Sequence, residues 1–193
     1  MPIILPQPGH FELEEKRSKF IGYCAPVKTE AQARDIVAEV RASHVKANHN
    51  VFAYATVQGN IVRASDDGEP SGTAGMPVLN VFQKTGVIDF VCVVTRYFGG
   101  TLLGAGGLVR AYSKAAKGAM EAAGPQELIV KYLYQVVCHY NKLDQVKYNF
   151  GKQGIPILQA EYTQHCTLVV EVTQQQEAEF LAGEIYEFKK LCS

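Results

Sequence analysis

The sequence predicts an α+β protein built as two domains. Three observations carry that expectation. Strand-like segments, either alternating or continuously apolar, take turns with helix-like segments whose apolar residues recur near every 3.6 positions. The periodicity changes character at Gly124-Pro125, a helix stop followed by a breaker. Beyond that point the chain reads strand–helix–strand–strand–helix–strand. The expected domains are therefore 1–125 and 126–193, and the 193 residues are enough for two small cores.

The N-terminal MPIILPQPGH reads as an extended arm, because Pro2, Pro6 and Pro8 bias the residues before them away from helix. Phe11–Glu14 and Ser18–Ala25 read as strands. Thr29 is placed to cap a helix that runs to about Ser43, with Ala33, Ile36, Val37 and Val40 on one face. A hairpin follows, Val51–Val57 and Ile61–Ala64 around Gln58-Gly59-Asn60. Thr73–Lys84 reads as a second helix. The apolar run Val87–Thr95 has the signature of a strand buried on both faces, and Gly107–Ala123 is a third helix closed by Gly124. In the second half, Leu128–His139 reads as a long strand and Asn141 as the cap of a helix bearing Leu143, Val146 and Phe150. A hairpin of Ile157–Tyr162 and His165–Val172 then turns at Thr163-Gln164. Gln174–Glu187 is the expected last helix and Phe188–Cys192 the last strand. That order is the ferredoxin-like pattern.

Composition narrows the function classes. Hydrophobic residues make up 47% and charged residues 20%, which is ordinary for a soluble globular protein. No apolar run approaches the roughly 18 residues of a membrane span, and the N-terminus lacks the basic start of a secretory signal. The formal net charge is zero, so any binding of nucleic acid must come from local clustering. The five cysteines show no CxxC or metal-like spacing and read as reduced thiols of a cytoplasmic protein.

The most informative stretch is RYFGGTLLGAGGLVRAY, Arg96–Tyr112. Gly99, Gly100, Gly104, Gly106 and Gly107 fall within nine residues between an apolar strand and a long helix. Such a cluster is costly in backbone entropy unless unusual dihedrals or close approach require it. A strand-to-helix turn also leaves the first helical N–H groups free, which suits an anion. The expected contacts are those N–H groups from Gly104 to Gly107, with Arg96 and Arg110 as charged partners. Close packing of helix on strand is the competing explanation. The loop lacks the Gly-Lys-Ser/Thr of a Walker A motif and the spacing of a dinucleotide fingerprint.

On helix three, Leu108, Tyr112, Ala116, Met120 and Ala123 make the core face, while Arg110, Lys114 and Lys117 form a basic stripe. Arg110 lies in the first turn, where the helix dipole disfavours a cation by about 0.3–1 kcal/mol. A bound anion relieves that conflict; a merely solvated face is the alternative. Tyr97 and Phe98 are available to stack bases, or one of them turns inward to the core.

The second constellation is SDDGEPSGTAGMP, Ser65–Pro77. Asp66, Asp67 and Glu69 surround a glycine turn, and Ser71 and Thr73 offer hydroxyls at the mouth of the next helix. Three roles compete: a hard-cation site on the carboxylates, helix capping by Ser71 or Thr73, and pairing of the carboxylates with Arg96 and Arg110 if the two loops meet. Ser71 and Thr73 are also candidate anion contacts. His44, His49, His139 and His165 sit in no recognisable nucleophile, base or zinc motif, so no catalytic residue is assigned.

KRSKFIG (Lys16–Gly22), ANHNVFAY (Ala47–Tyr54), SDDGEPSGTAGMP and TRYFGGTLLGAGGLVRAY (Thr95–Tyr112) closely resemble the Impact family, in its bacterial branch. The resemblance implies a ribosomal-protein-S5-domain-2-like first domain and a ferredoxin-like second domain related to the last domain of translocation factor G. In that factor, tandem domains of these kinds contact the ribosome. Eukaryotic Impact proteins restrain the starvation-responsive kinase by competing for its activator, bound mainly through an extra N-terminal domain. Only about ten residues precede the first strand here, so that activity is not carried over. The expectation is a cytoplasmic, non-catalytic regulator of translation that binds RNA or the ribosome and needs no cofactor. A magnesium-dependent binder of a phosphorylated or nucleotide ligand and a protein-interaction module are the alternatives.

Overall fold

The computed structural model describes residues 2–183 and 186–191, which divide into two units, Met1–Leu128 and Ile129–Ser193. In the first, the strands β1 (Ile3–Ile4), β2 (Gly9–Glu15), β3 (Ser18–Pro26), β4 (His49–Thr56), β5 (Ile61–Ser65) and β6 (Phe90–Tyr97) are interleaved with three helices. These are α1 (Glu30–Ser43), α2 (Gly75–Thr85) and α3 (Ala105–Ala122). The sheet runs β2-β3-β6-β4-β5, every pair antiparallel. Side chains alternate across a strand, so β6 divides its residues between two cores. Phe90, Cys92 and Val94 join the core under α2 and α3, and Val91 and Val93 the core under α1. This is why the run reads as continuously apolar: a central strand covered on both faces.

Local chemistry sets several of the ends. The Thr29 hydroxyl accepts the Gln32 N–H while the Gln32 side chain accepts the Thr29 N–H, a reciprocal cap on α1. Gly22 lets α3 lie against β3, because a Cβ there would stand 2.5 Å from the Ala115 carbonyl oxygen. The N-terminal arm is held by tertiary contacts. Its β1 pairs with β7 (Gln126–Glu127), and Leu5 is buried in the α2–α3 core. β7 lies just before the strand expected over Leu128–His139, which is observed as β8 (Lys131–Cys138) and begins three residues later than expected.

In the second unit, β8, α4 (Leu143–Gln153), β9 (Ile157–Tyr162), β10 (Cys166–Thr173), α5 (Glu177–Leu181) and β11 (Glu187–Lys190) build a sheet of order β11-β8-β10-β9. Val146 and Phe150 of α4 and Phe180 of α5 pack with Tyr134, Val136, Leu168 and Val170 on one face, the ferredoxin-like arrangement. Two local expectations change. Asn141 lies in a short 3₁₀ turn, Tyr140–Lys142, and α4 has no side-chain cap. The last helix is five residues long, and the expected continuation at Glu184 and Ile185 lies outside the described residues, as does Cys192 of the expected last strand. No described helix is long and apolar enough to cross a membrane.

Candidate functional site

The acidic loop and the glycine loop meet, but through buried groups. Arg96, near the end of β6, is 5% exposed on the α2–α3 side of the sheet. Its Nη1 donates to Glu69 Oε1 at 2.6 Å, and the Tyr112 hydroxyl donates to the same oxygen at 2.7 Å. Arg96 Nη2 reaches Ser18 Oγ at 3.4 Å. The Phe20 and Phe98 rings each stand close to the guanidinium carbon, at 5.5 and 5.4 Å, and Nε is buried without a partner among the described residues. Burial and then the hydrogen bond to Glu69 push the Tyr112 phenol well above its ordinary pKa, so it stays a donor. His49 Nδ1 lies 2.8 Å from the Asp67 carbonyl oxygen and its Nε2 3.8 Å from Glu69 Oε1.

Arg96 is therefore not the anion contact expected from the sequence. A buried guanidinium must be paired, and here Glu69 pairs it. Arg110 meets none of the three carboxylates. Asp67 accepts the Asn50 N–H at 2.6 Å and Arg41 Nη2 at 2.5 Å, pinning the loop to β4 and α1. Asp66 takes over the capping assigned to Ser71 or Thr73. Its carboxylate accepts the N–H groups of Gly72, Ala74 and Gly75 at 2.8, 3.0 and 2.8 Å. Burial works to raise its pKa, but the three donors outweigh that and hold it below the usual aspartate value. The Thr73 hydroxyl donates to the Pro70 carbonyl oxygen, Ser71 is exposed, and neither caps α2. With Asp66, Asp67 and Glu69 each committed elsewhere, no cation cage remains. No group of three metal-capable side chains gathers among the described residues.

Tyr97 also changes role. It points to the α1 side of the sheet, where its hydroxyl lies 2.9 Å from His44 Nδ1. Phe98 is 43% exposed, with its N–H donated to Asn48.

The glycines divide by cause. A Cβ on Gly99 would sit 2.0 Å from the Arg17 carbonyl, so glycine lets the loop lie directly on the β2–β3 turn, with its N–H donated to Ser18 Oγ. Gly100 has φ +81°, and Gly104, just before α3, has φ 74° and ψ 164°, a region essentially closed to other residues. Gly107 abuts Leu103, whose Cβ would stand 3.0 Å from an added Cβ. Gly106 has no such constraint: the first atom an added Cβ would meet is Arg110 Nη1, at 3.8 Å.

The loop thus brings the β2–β3 turn to the start of α3. The turn is Lys16-Arg17, with φ 47° and 65°, between the paired residues Glu15 and Ser18. Two-residue hairpins with both φ positive favour Asn-Gly, and an L-residue there costs roughly 1–2 kcal/mol. Two exposed cations occupy it. Lys16, Gly107, Arg110 and Lys114, together with one carboxylate, Glu15, line a surface pocket of about 260 Å³. Lys16 and Arg17 open the KRSKFIG motif but are not among the candidate contacts read from the sequence. The signal for them was the hairpin itself, two alternating runs, FELEE and SKFIG, joined by only two residues.

A five-stranded sheet covered by α1 on one face and α2–α3 on the other, followed by a ferredoxin-like unit, defines a two-domain α+β protein of the S5-domain-2-like kind. The Impact N-terminal domain matches residues 16–120, and a domain of unknown function (DUF1949) matches residues 136–182. The chain belongs to the Impact family. The IMPACT family member YvyE of Bacillus subtilis is 33% identical over 173 residues, covering 89% of this chain and 80% of that protein. YigZ of Escherichia coli is 35% identical over 172 residues, 88% and 84% of the two chains. A crystal structure described as a hypothetical protein superposes with a TM-score of 0.61 at 30% identity, across 99% of this chain and 97% of that one.

Proposed function

We propose that this protein is a non-catalytic, cytoplasmic regulator associated with translation, and that it contacts RNA through the first unit. The observation that carries this reading is the set Lys16, Arg110 and Lys114, which line one pocket at the start of α3, with Arg17 next to Lys16 in the adjoining turn. None of the four has a carboxylate within ion-pair distance among the described residues, which is also true of Lys46, Arg63 and Lys84, but only these four gather around one pocket and the turn beside it. Unpaired cations beside free helical N–H groups suit phosphates, and the strained Lys16-Arg17 turn keeps two of them in place. Membership of the Impact family, whose two domain kinds also occur together in a ribosome-binding translocation factor, supports translation as the setting.

The test is co-sedimentation with ribosomes and separated subunits at low and moderate salt, beside an Arg110→Ala, Lys114→Ala double variant. Four phosphate contacts predict a log–log salt slope of roughly 3–4. Salt-sensitive pelleting that the double variant loses is the expected result. Pelleting that the variant retains in full, or none at either salt, overturns the assignment.

A further inference from the structure

On the opposite face of the same sheet, α1 and the β4–β5 hairpin enclose a cleft of about 410 Å³. Its floor is Val37 with the rings of Phe52 and Tyr54, which lie parallel to within 9° at a centroid distance of 5.8 Å. Its rim is three guanidinium groups, Arg34, Arg41 and Arg63. Two have partners at hand. Arg34 pairs with Glu30, which also accepts the Tyr54 hydroxyl, and Arg41 pairs with Asp67 while its guanidinium carbon stands 5.5 Å from the Phe52 ring centre. Arg63, directly across the β4–β5 ladder from Tyr54, has no carboxylate partner among the described residues and is exposed.

An aromatic floor under a rim of guanidinium groups selects a ligand with a flat apolar body and an anionic end. Guanidinium forks match phosphate oxygens two at a time and also stack on rings. The volume lies within the ordinary range for a small-molecule site. We infer that this cleft binds one nucleotide, its base against the part-exposed Phe52 ring that lies over buried Val37 and Tyr54, and its phosphate on Arg63, the rim guanidinium with no carboxylate partner among the described residues. The site shares no residue with the basic pocket at α3 and does not depend on the RNA-binding reading. A free nucleotide and one nucleotide of an RNA strand present the same chemistry, so the experiment separates them.

Titrate ADP by calorimetry and a labelled adenosine octamer RNA by anisotropy. Use the wild-type chain, Arg63→Ala, Phe52→Leu, and the Arg110→Ala, Lys114→Ala pair, with circular dichroism melts confirming that each folds. Arg63 is exposed, so its truncation leaves the core untouched. ADP binding weakened about tenfold by both Arg63→Ala and Phe52→Leu, and unchanged in the α3 pair, establishes a free-nucleotide site. Octamer binding with the same dependence, and no ADP binding, establishes a site for a nucleotide within a strand. Octamer binding that depends only on Arg110 and Lys114 overturns this inference while leaving the α3 reading intact. Dependence on Arg63 without dependence on Phe52, or a hexaglutamate peptide that binds as tightly as ADP, overturns it in favour of a simple anion or acidic-peptide groove. Binding of neither probe also overturns it.

Discussion

Arg96 and Arg110 bracket one glycine loop, and the fold treats them oppositely. Arg96 lies near the end of a central strand, where its neighbours are Phe20, Glu69 and Tyr112, and it is buried. Arg110 begins the exposed stripe of α3, beside Lys114 and the Lys16-Arg17 turn, and no carboxylate among the described residues lies within ion-pair distance of it. The difference teaches how to sort the charges around a motif. Where burial is deep, a cation is tolerated only with a counter-charge brought to it, and its role is to join two loops. Where cations gather at the surface without a counter-charge, water and salt solvate them, and they stay open to an anion from outside.

Glu69→Gln is the most severe way to break that comparison. It leaves the Arg96 guanidinium buried without its counter-charge, and the expected cost is about 3–5 kcal/mol of stability in the first unit. Urea unfolding followed by circular dichroism measures it. A loss under about 1 kcal/mol would mean that the cluster does not bind the two loops together.

Asp66→Asn tests the same loop more gently. Loss of the capping charge is expected to destabilise the first unit by about 1 kcal/mol at neutral pH. The pH dependence has a definite sign. The folded-state pKa of Asp66 lies below its unfolded value, ordinarily about 3.9, so its stabilisation is complete above that value. It is lost as pH falls through the folded-state pKa. Acid unfolding curves of the wild type and Asp66→Asn should therefore converge below about pH 4. Curves that stay parallel would contradict the capping role.

Arg110→Ala with Lys114→Ala should change stability least, by no more than about 0.5 kcal/mol, because both side chains are exposed and neither has an ion-pair partner among the described residues. Its effect should appear in binding, as a fall of roughly 2 in the log–log salt slope for RNA. A thermal melt and a salt titration on the same preparation check both halves. A large loss of stability in this variant would erase the contrast with Arg96.

Much of the architecture was legible in the order of residues. The core stripe Leu108, Tyr112, Ala116, Met120 and Ala123 is buried as its spacing implies, and the Thr29 cap lies three residues from its partner Gln32. Capping of α2 was not legible, because the cap comes from Asp66, eight and nine residues before the N–H groups of Ala74 and Gly75 that it serves. A hydroxyl beside the helix start is the natural local candidate, yet the loop turns Thr73 back onto Pro70. The candidate site divides the same way. Arg110, Lys114 and the glycines were visible in a helical stripe and a strand-to-helix turn. Lys16 was not, because only the close approach of Gly99 to Arg17 carries that turn to the helix.

The sequence by itself determined the alternation of strands and helices, the ferredoxin-like order of the second unit and the stripe of α3. These depend on periodicity and on caps and turns that act within a few residues. Only the tertiary structure decided which charges are spent inside the protein. Glu69 meets Arg96 across 27 residues and Tyr112 across 43, and Ser18 meets Gly99 across 81. Such partners are chosen by how strands and helices stack. The same stacking, which buries one arginine with its carboxylate and leaves another facing solvent, separates the internal clamp from the surface open to a ligand.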